Sequence, residues 1–246
     1  MVRAVLFDMG NTLLKYAHPG NGTWREFETP GIRGVYRYLL EQGHPLPPHE
    51  DAFVEAMFAR LAEGWQQATG GHVNLRLADW IAASVQEHRL TLGEAQLLEA
   101  VRRYAAALRE GVAQTPGAAA TLAALRAAGL RTGVISNTIW PGDLHREDLQ
   151  TLGLLEHLEH QIFSGDIGLW KPHPDIFRRL LGLLDVAPEQ AVFVGDSPRE
   201  DILGAQALGM RAVWMRTAEF PLGDVRPDAA IDTLPELLPL LERWKR

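Results

Sequence analysis

The sequence predicts an α/β protein: a doubly wound, mostly parallel sheet of Rossmann-like form, with an all-helical segment inserted after its first strand. Three observations carry this. A short apolar run at residues 2–7 stops abruptly at Asp8. From about Thr115 onward, short apolar runs alternate with helix-length stretches. Between these regions, residues 15–114 show helical periodicity and no convincing strand. Strands buried on both faces read as continuous apolar runs, and their alternation with helices implies right-handed crossovers.

The elements follow in order. The first strand is closed by a Gly10-Asn11 turn signal. Inside the insertion, apolar periodicity predicts helices over 32–41, 52–68, 76–88 and 93–109. Thr115-Pro116 reads as an N-cap followed by proline in the first helical turn, and the alanine-rich helix it opens stops at Gly129. Then come a strand over 131–135, a broadly helical stretch over 149–158, a strand over 161–163 and a helix over 175–184. A strand over 191–194 precedes a helix over 199–208 that ends at Gly209. Strands over 211–215 and 229–231 and a last helix over 234–244 complete the chain. The expected division is a core of 1–14 and 115–246 and a helical cap of 15–114 above the sheet's carboxyl edge.

Composition narrows the function. At 246 residues, 46% hydrophobic and 22% charged, the chain can bury a large core without disulfides or structural metal. The absence of cysteine excludes thiolate metal sites and a cysteine nucleophile. A net charge of -7 argues against nucleic acid or anionic membrane as the main partner, while a small anionic ligand stays compatible with one local cation. No apolar run reaches the ~20 residues that span a bilayer, and the N-terminus is too soon interrupted by acid for a signal peptide. The expected location is cytoplasmic; nothing in the sequence speaks to oligomeric state. Lysine occurs only at 15, 171 and 245, which makes Lys171 conspicuous.

Ligands of such sheets bind beyond the carboxyl ends of the strands, so the polar residues that end apolar runs matter most: Asp8, Ser136-Asn137, Asp196 and, in the loop after 161–163, Lys171. One strand-terminal acid or serine often just caps the next helix; four on one edge make that explanation poor. Asp8 and Asp196, side by side on the rim, repel unless a proton or cation lies between them. Mg²⁺, which shares its ligands with substrate phosphate, suits that pair. Asp8 can then attack phosphorus, with Ser136 and Asn137 holding a phosphoryl oxygen and Lys171 supplying positive charge.

These segments resemble, in order and spacing, the four motifs of the haloacid dehalogenase superfamily. Asp8-Met9-Gly10-Asn11-Thr12-Leu13 resembles the first and Ser136-Asn137 the second. Gly168-Leu169-Trp170-Lys171-Pro172 onward resembles the third, and Gly195-Asp196-Ser197-Pro198-Arg199-Glu200-Asp201 the fourth. The helical insertion resembles that superfamily's C1-type cap. The resemblance implies an Asp8 nucleophile that also binds metal, with the Gly10 backbone carbonyl and Asp196 as further ligands. It also implies that Asp201 orients metal waters or Lys171. The implied activity is Mg²⁺-dependent hydrolysis of a small phosphorylated metabolite, such as a sugar phosphate, through an aspartyl-phosphate.

One position departs from the pattern. Phosphatases of the superfamily usually carry an aspartate two residues after the nucleophile, where this chain has Gly10. That acid protonates the leaving group, a contribution of about 10²- to 10⁴-fold. Three explanations stay open: a substrate with a good leaving group, metal-independent dehalogenation, or a non-catalytic role in binding a phosphorylated ligand. The Gly195-Asp196-Ser197 start of motif four favours phosphate and Mg²⁺ over halide. His18, His44, His72, His145 and His173 lack metal-ligand spacing; His18 or His72 is a candidate substitute acid. Trp24, Trp65 and Trp80 read as packing residues.

Overall fold

The computed structural model describes residues 1–16, 24–71 and 75–244, with no side-chain description for 24 and 62–71. His18 and His72 lie outside the described residues, as do the side chains of Trp24 and Trp65.

The first strand, β1 (Ala4–Phe7), lies between two other parallel strands, and its buried side chains divide strictly by face. Val5 and Phe7 join one apolar cluster; Ala4 and Leu6 join the other. This is the two-sided burial that a continuous apolar run encodes. After it come β2 (Leu14–Lys15) and four helices, α1 (Trp24–Glu41), α2 (Glu50–Gly71), α3 (Leu77–Gln86) and α4 (Glu94–Arg109). The short β3 (Ala113–Gln114) returns to pair antiparallel with β2. The core resumes with α5 (Ala118–Ala127), β4 (Arg131–Ser136), α6 (Gly142–Thr151), β5 (His160–Phe163), α7 (Ser164–Ile167) and α8 (Pro174–Leu183). It ends with β6 (Ala191–Gly195), a π-helical turn at Pro198–Leu203, α9 (Gly204–Gln206), β7 (Arg211–Met215), β8 (Ala229–Ile231) and α10 (Leu237–Trp244).

The six-stranded sheet has the order β5-β4-β1-β6-β7-β8, parallel throughout. Helices α5 and α10 cover one face, α8 and α9 the other. The α/β class, the doubly wound sheet and the helical insert forming a cap are therefore as expected. The cap has its own core, in which Trp80 packs edge-on to Tyr104 at 5.6 Å and donates from Nε1 to Met57 O at 3.0 Å.

Several local expectations need correction. The insertion is bounded by two-residue strands, β2 and β3, too short for any periodicity to announce. Helix α1 begins a full eight residues before 32, although it contains Pro30, Gly31 and Gly34. Those glycines serve packing: a Cβ at Gly34 would stand 2.7 Å from Arg103 O of α4, and one at Gly31 2.9 Å from the Tyr104 ring. Thr115 is not a side-chain cap. It is buried with its hydroxyl unpartnered, its carbonyl closes a turn onto Ala118 N, and Gly117 (φ 82) leads into α5. The helical stretch expected at 149–158 is the end of α6, which starts at Gly142, plus a single 3₁₀ turn. Residues 199–208 are a π-helical turn and one short α-helical turn. Among the described residues, no helix is long and apolar enough to cross a membrane.

Candidate active site

The register of β1 against β6 builds the floor of the site. Phe7 is paired with Val194, and Asp8 N donates to Val194 O at 2.8 Å, so Asp8 and Asp196 emerge together at the carboxyl rim. Asp201 enters the same space from the π-helical turn: oxygens of Asp8, Asp196 and Asp201 lie within 4.8 Å of one another, all three buried. Room for Asp201 depends on Gly195, where a Cβ would fall 2.3 Å from its carboxylate.

Lys171, buried, donates from Nζ to Asp8 Oδ1 at 2.5 Å and to Asp201 Oδ1 at 2.7 Å. Asp201 Oδ2 accepts from Ser197 N at 2.9 Å, so both its oxygens are occupied. Asp196 Oδ2 is buried without a hydrogen-bond partner. An unpaired carboxylate oxygen in low dielectric is costly, and three acids with one lysine leave an excess of negative charge. Burial pushes the Asp8 carboxyl up to about 7; Lys171 pulls against that rise and Asp201 adds to it. Burial, then Asp8 and Asp201, push Asp196 up to about 8. Burial opposes the charge on Lys171, but Asp201 and Asp8 outweigh it and hold the ammonium above the ordinary lysine range. The donor set therefore fits a hard divalent cation: hard oxygen ligands, excess negative charge and one orphaned acceptor.

The other expected residues also converge. Ser136 ends β4, buried, and lines the same cavity. Asn137 lines it too, but its side chain clamps the lysine loop. Its Oδ1 accepts from Lys171 N at 2.7 Å, and its Nδ2 donates to Lys171 O at 3.1 Å and to Glu200 Oε2 at 2.8 Å. Gly10 faces open space, with nothing within 4 Å of where a Cβ would stand. The left-handed residue of that turn is its neighbour Asn11, with φ 55. His173 caps α8, accepting from Asp175 N at 3.2 Å. His44 Nε2 lies 3.2 Å from Gln96 Nε2, within the cap.

Sequence reading missed a network beside this floor. The Tyr16 hydroxyl, just after β2, donates to Asp148 Oδ2 at 3.3 Å and lies 3.0 Å from His145 Nδ1. His145 Nε2 lies 2.7 Å from the Thr138 hydroxyl, and Arg109, ending α4, donates to Asp148 Oδ1 at 2.7 Å. The imidazole stacks on Trp140, with centroids 5.1 Å apart. Burial, then Arg109 and Arg146, drive its pKa down to about 3, so it is neutral. Burial and Asp148 raise the Tyr16 phenol. Partners 129 residues apart leave no local signal.

A capped, doubly wound α/β fold with a lysine-braced carboxylate cluster at its strand ends defines a class of hydrolase. Residues 2–209 match the family of haloacid dehalogenase-like hydrolases. The chain belongs to that family. It is 30% identical to a phosphoglycolate phosphatase of Yersinia pseudotuberculosis, over 98% of this chain and 93% of the relative. Identity reaches 39% with a phosphoserine phosphatase of Thermus thermophilus, but over 123 residues, so the chain spans about half the length of that relative (49%). Among solved structures, a 2-haloacid dehalogenase of Pseudomonas syringae superposes with TM-score 0.70 at 26% identity, covering 99% of this chain and all of the other.

Proposed function

We propose that the protein is a Mg²⁺-dependent phosphatase of a small phosphorylated metabolite, acting through an aspartyl-phosphate on Asp8. The observation that carries this is the orphaned Asp196 Oδ2 beside a buried Asp8 that Lys171 already braces. We assign residues 1–14 and 115–246 to the catalytic core and 15–114 to the cap; the β2–β3 pairing at the junction supports that division.

Asp8, Asp196 and the Gly10 carbonyl would hold Mg²⁺, which when bound supplies charge neutralisation for the carboxylates and the phosphoryl group. The chain's own residues do the rest. Lys171, fixed by Asp8 and Asp201, presents one positive charge to the equatorial phosphoryl oxygens. Ser136 donates its hydroxyl to one of them. With the Asn137 side chain committed to the lysine loop, its contribution to phosphate falls to its backbone N–H. An Asp8 oxygen forms the new bond to phosphorus as the ester P–O bond breaks. Residue 10 has no side chain, so the departing oxygen takes its proton from solvent. Water then cleaves the aspartyl-phosphate, returning Asp8 and inorganic phosphate.

Excess chelator should abolish phosphate release across a panel of sugar, nucleotide and small organic phosphates, and Mg²⁺ should restore it. Full release in chelator would overturn the assignment. The likeness to the Pseudomonas syringae protein and the bare Gly10 favour a second reading, halide release without metal. Halide release from a 2-haloacid in the same chelated sample would establish it. Failure to form any phosphoenzyme or release either product would leave a phospho-ligand-binding role.

A further inference from the structure

The floor of the site leads into a cavity of about 710 Å³ whose upper walls differ sharply from it in chemistry. Phe27 comes from α1 of the cap, Ile139 and Trp140 from the segment after β4, Trp170 from beside Lys171, and Phe220 from the loop after β7. Interleaved with these apolar surfaces are three acids, Glu28, Glu200 and Glu219. Glu200 accepts from the neutral donors Trp170 Nε1 (3.2 Å) and Asn137 Nδ2 (2.8 Å), Glu219 from Asn11 Nδ2 (3.0 Å), and Glu28 takes the Tyr104 hydroxyl among its contacts.

Positive charge is scarce there. Among the described residues lining the cavity, Lys171 is the sole lysine or arginine, and it faces the floor acids. Arg109 is turned to Asp148 and Glu147. Arg76 donates to Asp166 O, and Arg146 pairs with that residue's carboxylate. His145, on the wall, is neutral.

A leaving group that carries a carboxylate would therefore enter a space lined by acids, where none of the described lining residues offers a lysine or arginine to receive it. Burying such a charge unpaired is strongly unfavourable, and like charges add to that. An uncharged or amine-bearing alcohol meets aromatic faces and carboxylates instead, both of which accommodate it. Resting on the phosphatase assignment, we infer that the site selects phosphate monoesters of neutral or cationic alcohols and discriminates against esters whose alcohol portion bears a carboxylate. This separates the chain's substrate class from those named for its phosphoglycolate and phosphoserine phosphatase relatives.

Two matched pairs test it: O-phosphoethanolamine against O-phosphoserine, and the amide of phosphoglycolate against phosphoglycolate. Each pair varies the carboxylate while keeping the phosphate ester. The Mg²⁺-loaded enzyme is assayed for kcat/KM by phosphate release, or for competition against phenyl phosphate where an ester is not turned over. The carboxylate-free member should lead by about tenfold or more in both pairs. Glu219→Arg, which sets a cation on the exposed rim of the wall, should narrow both gaps. Equal or better use of the carboxylate esters would overturn the specificity while leaving the phosphatase assignment standing. Gaps unmoved by Glu219→Arg would overturn its electrostatic basis. No release from any ester, phenyl phosphate included, would overturn the phosphatase assignment itself and this inference with it.

Discussion

The floor of the cavity and its walls are built by different means. The floor is a set of charges fixed by parallel-strand register: Asp8 and Asp196 end adjacent strands, and Lys171 is tied to Asp8 and Asp201. The walls are apolar and acidic side chains from a cap helix, three separate loops and the π-helical turn. The cap's share of the walls is held against the core by Tyr16 and Arg109, one at each end of the insertion, both docked on Asp148 of α6. A rigid sheet edge holds a reaction in place, while a docked cap leaves selection open to change.

The largest expected effect lies in the floor. Asp8→Asn keeps the size of the side chain but removes the proposed nucleophile, so turnover should fall on the order of 10³-fold or more. Melting should be intact, because the change also removes a charge from a crowded acidic cluster. Comparable turnover in a folded mutant would show that another group attacks.

Asp196→Asn should lower turnover about 10²-fold and remove the thermal stabilisation given by Mg²⁺. The metal-free wild type adds a pH signature. Asp8 and Asp196 have folded pKa values of about 7 and about 8, against 3.8 in the unfolded chain. Between about pH 4 and 8 the folded state thus binds more protons, and its stability falls as pH rises. The Mg²⁺-induced rise in Tm should accordingly be larger at pH 8 than at pH 6, and Asp196→Asn should flatten the metal-free profile. A Tm shift independent of pH, read by scanning calorimetry, would break the link between these acids and the metal.

Floor and walls also differ in how far the sequence exposes them. Asp8, Asp196 and Lys171 are legible because an apolar run ending in an acid, or a rare lysine, is a local event, and register then does the rest. The bounds of β7 and β8 were equally plain, since each is a short apolar run between turn signals. The start of α1 was hidden by Pro30, Gly31 and Gly34, whose small size serves contact with α4 rather than local propensity. The commitment of the Asn137 side chain to Lys171 and the Tyr16–His145–Asp148–Arg109 network were invisible. The first joins residues that meet only once the sheet is assembled, the second residues that meet only once the cap is docked on it.

Gly10 probes the floor from the opposite direction. It has open space around it, and the left-handed residue of its turn is Asn11, so Gly10→Asp is not opposed by sterics or backbone. A fully oriented general acid contributes about 10²- to 10⁴-fold. An aspartate without a dedicated partner should give about tenfold on simple alkyl phosphates and little on esters with acidic leaving groups. The check is kcat/KM across esters of graded leaving-group pKa. A flat dependence in the wild type would show that another residue already supplies the proton.

The smallest expected effect tests the join between floor and walls. Tyr16→Phe keeps the ring against Trp140, 5.7 Å between centroids, and deletes only the hydroxyl shared by Asp148 and His145. Arg109 stays on Asp148 Oδ1, so His145 Nδ1 and Asp148 Oδ2 both lose a partner, a loss of about 1–3 kcal/mol for each. For a chain of this size, that lowers Tm by about 2–4 °C per kcal/mol. If the network also sets how the cap sits over the floor, kcat and KM should move together by a few-fold. Phosphoenzyme formation should persist, since no floor residue is touched. A lowered Tm with unchanged kcat and KM would mean that these bonds only hold the fold together, leaving the position of the walls to the apolar contacts of Ile139, Trp140 and Leu144 with the cap core.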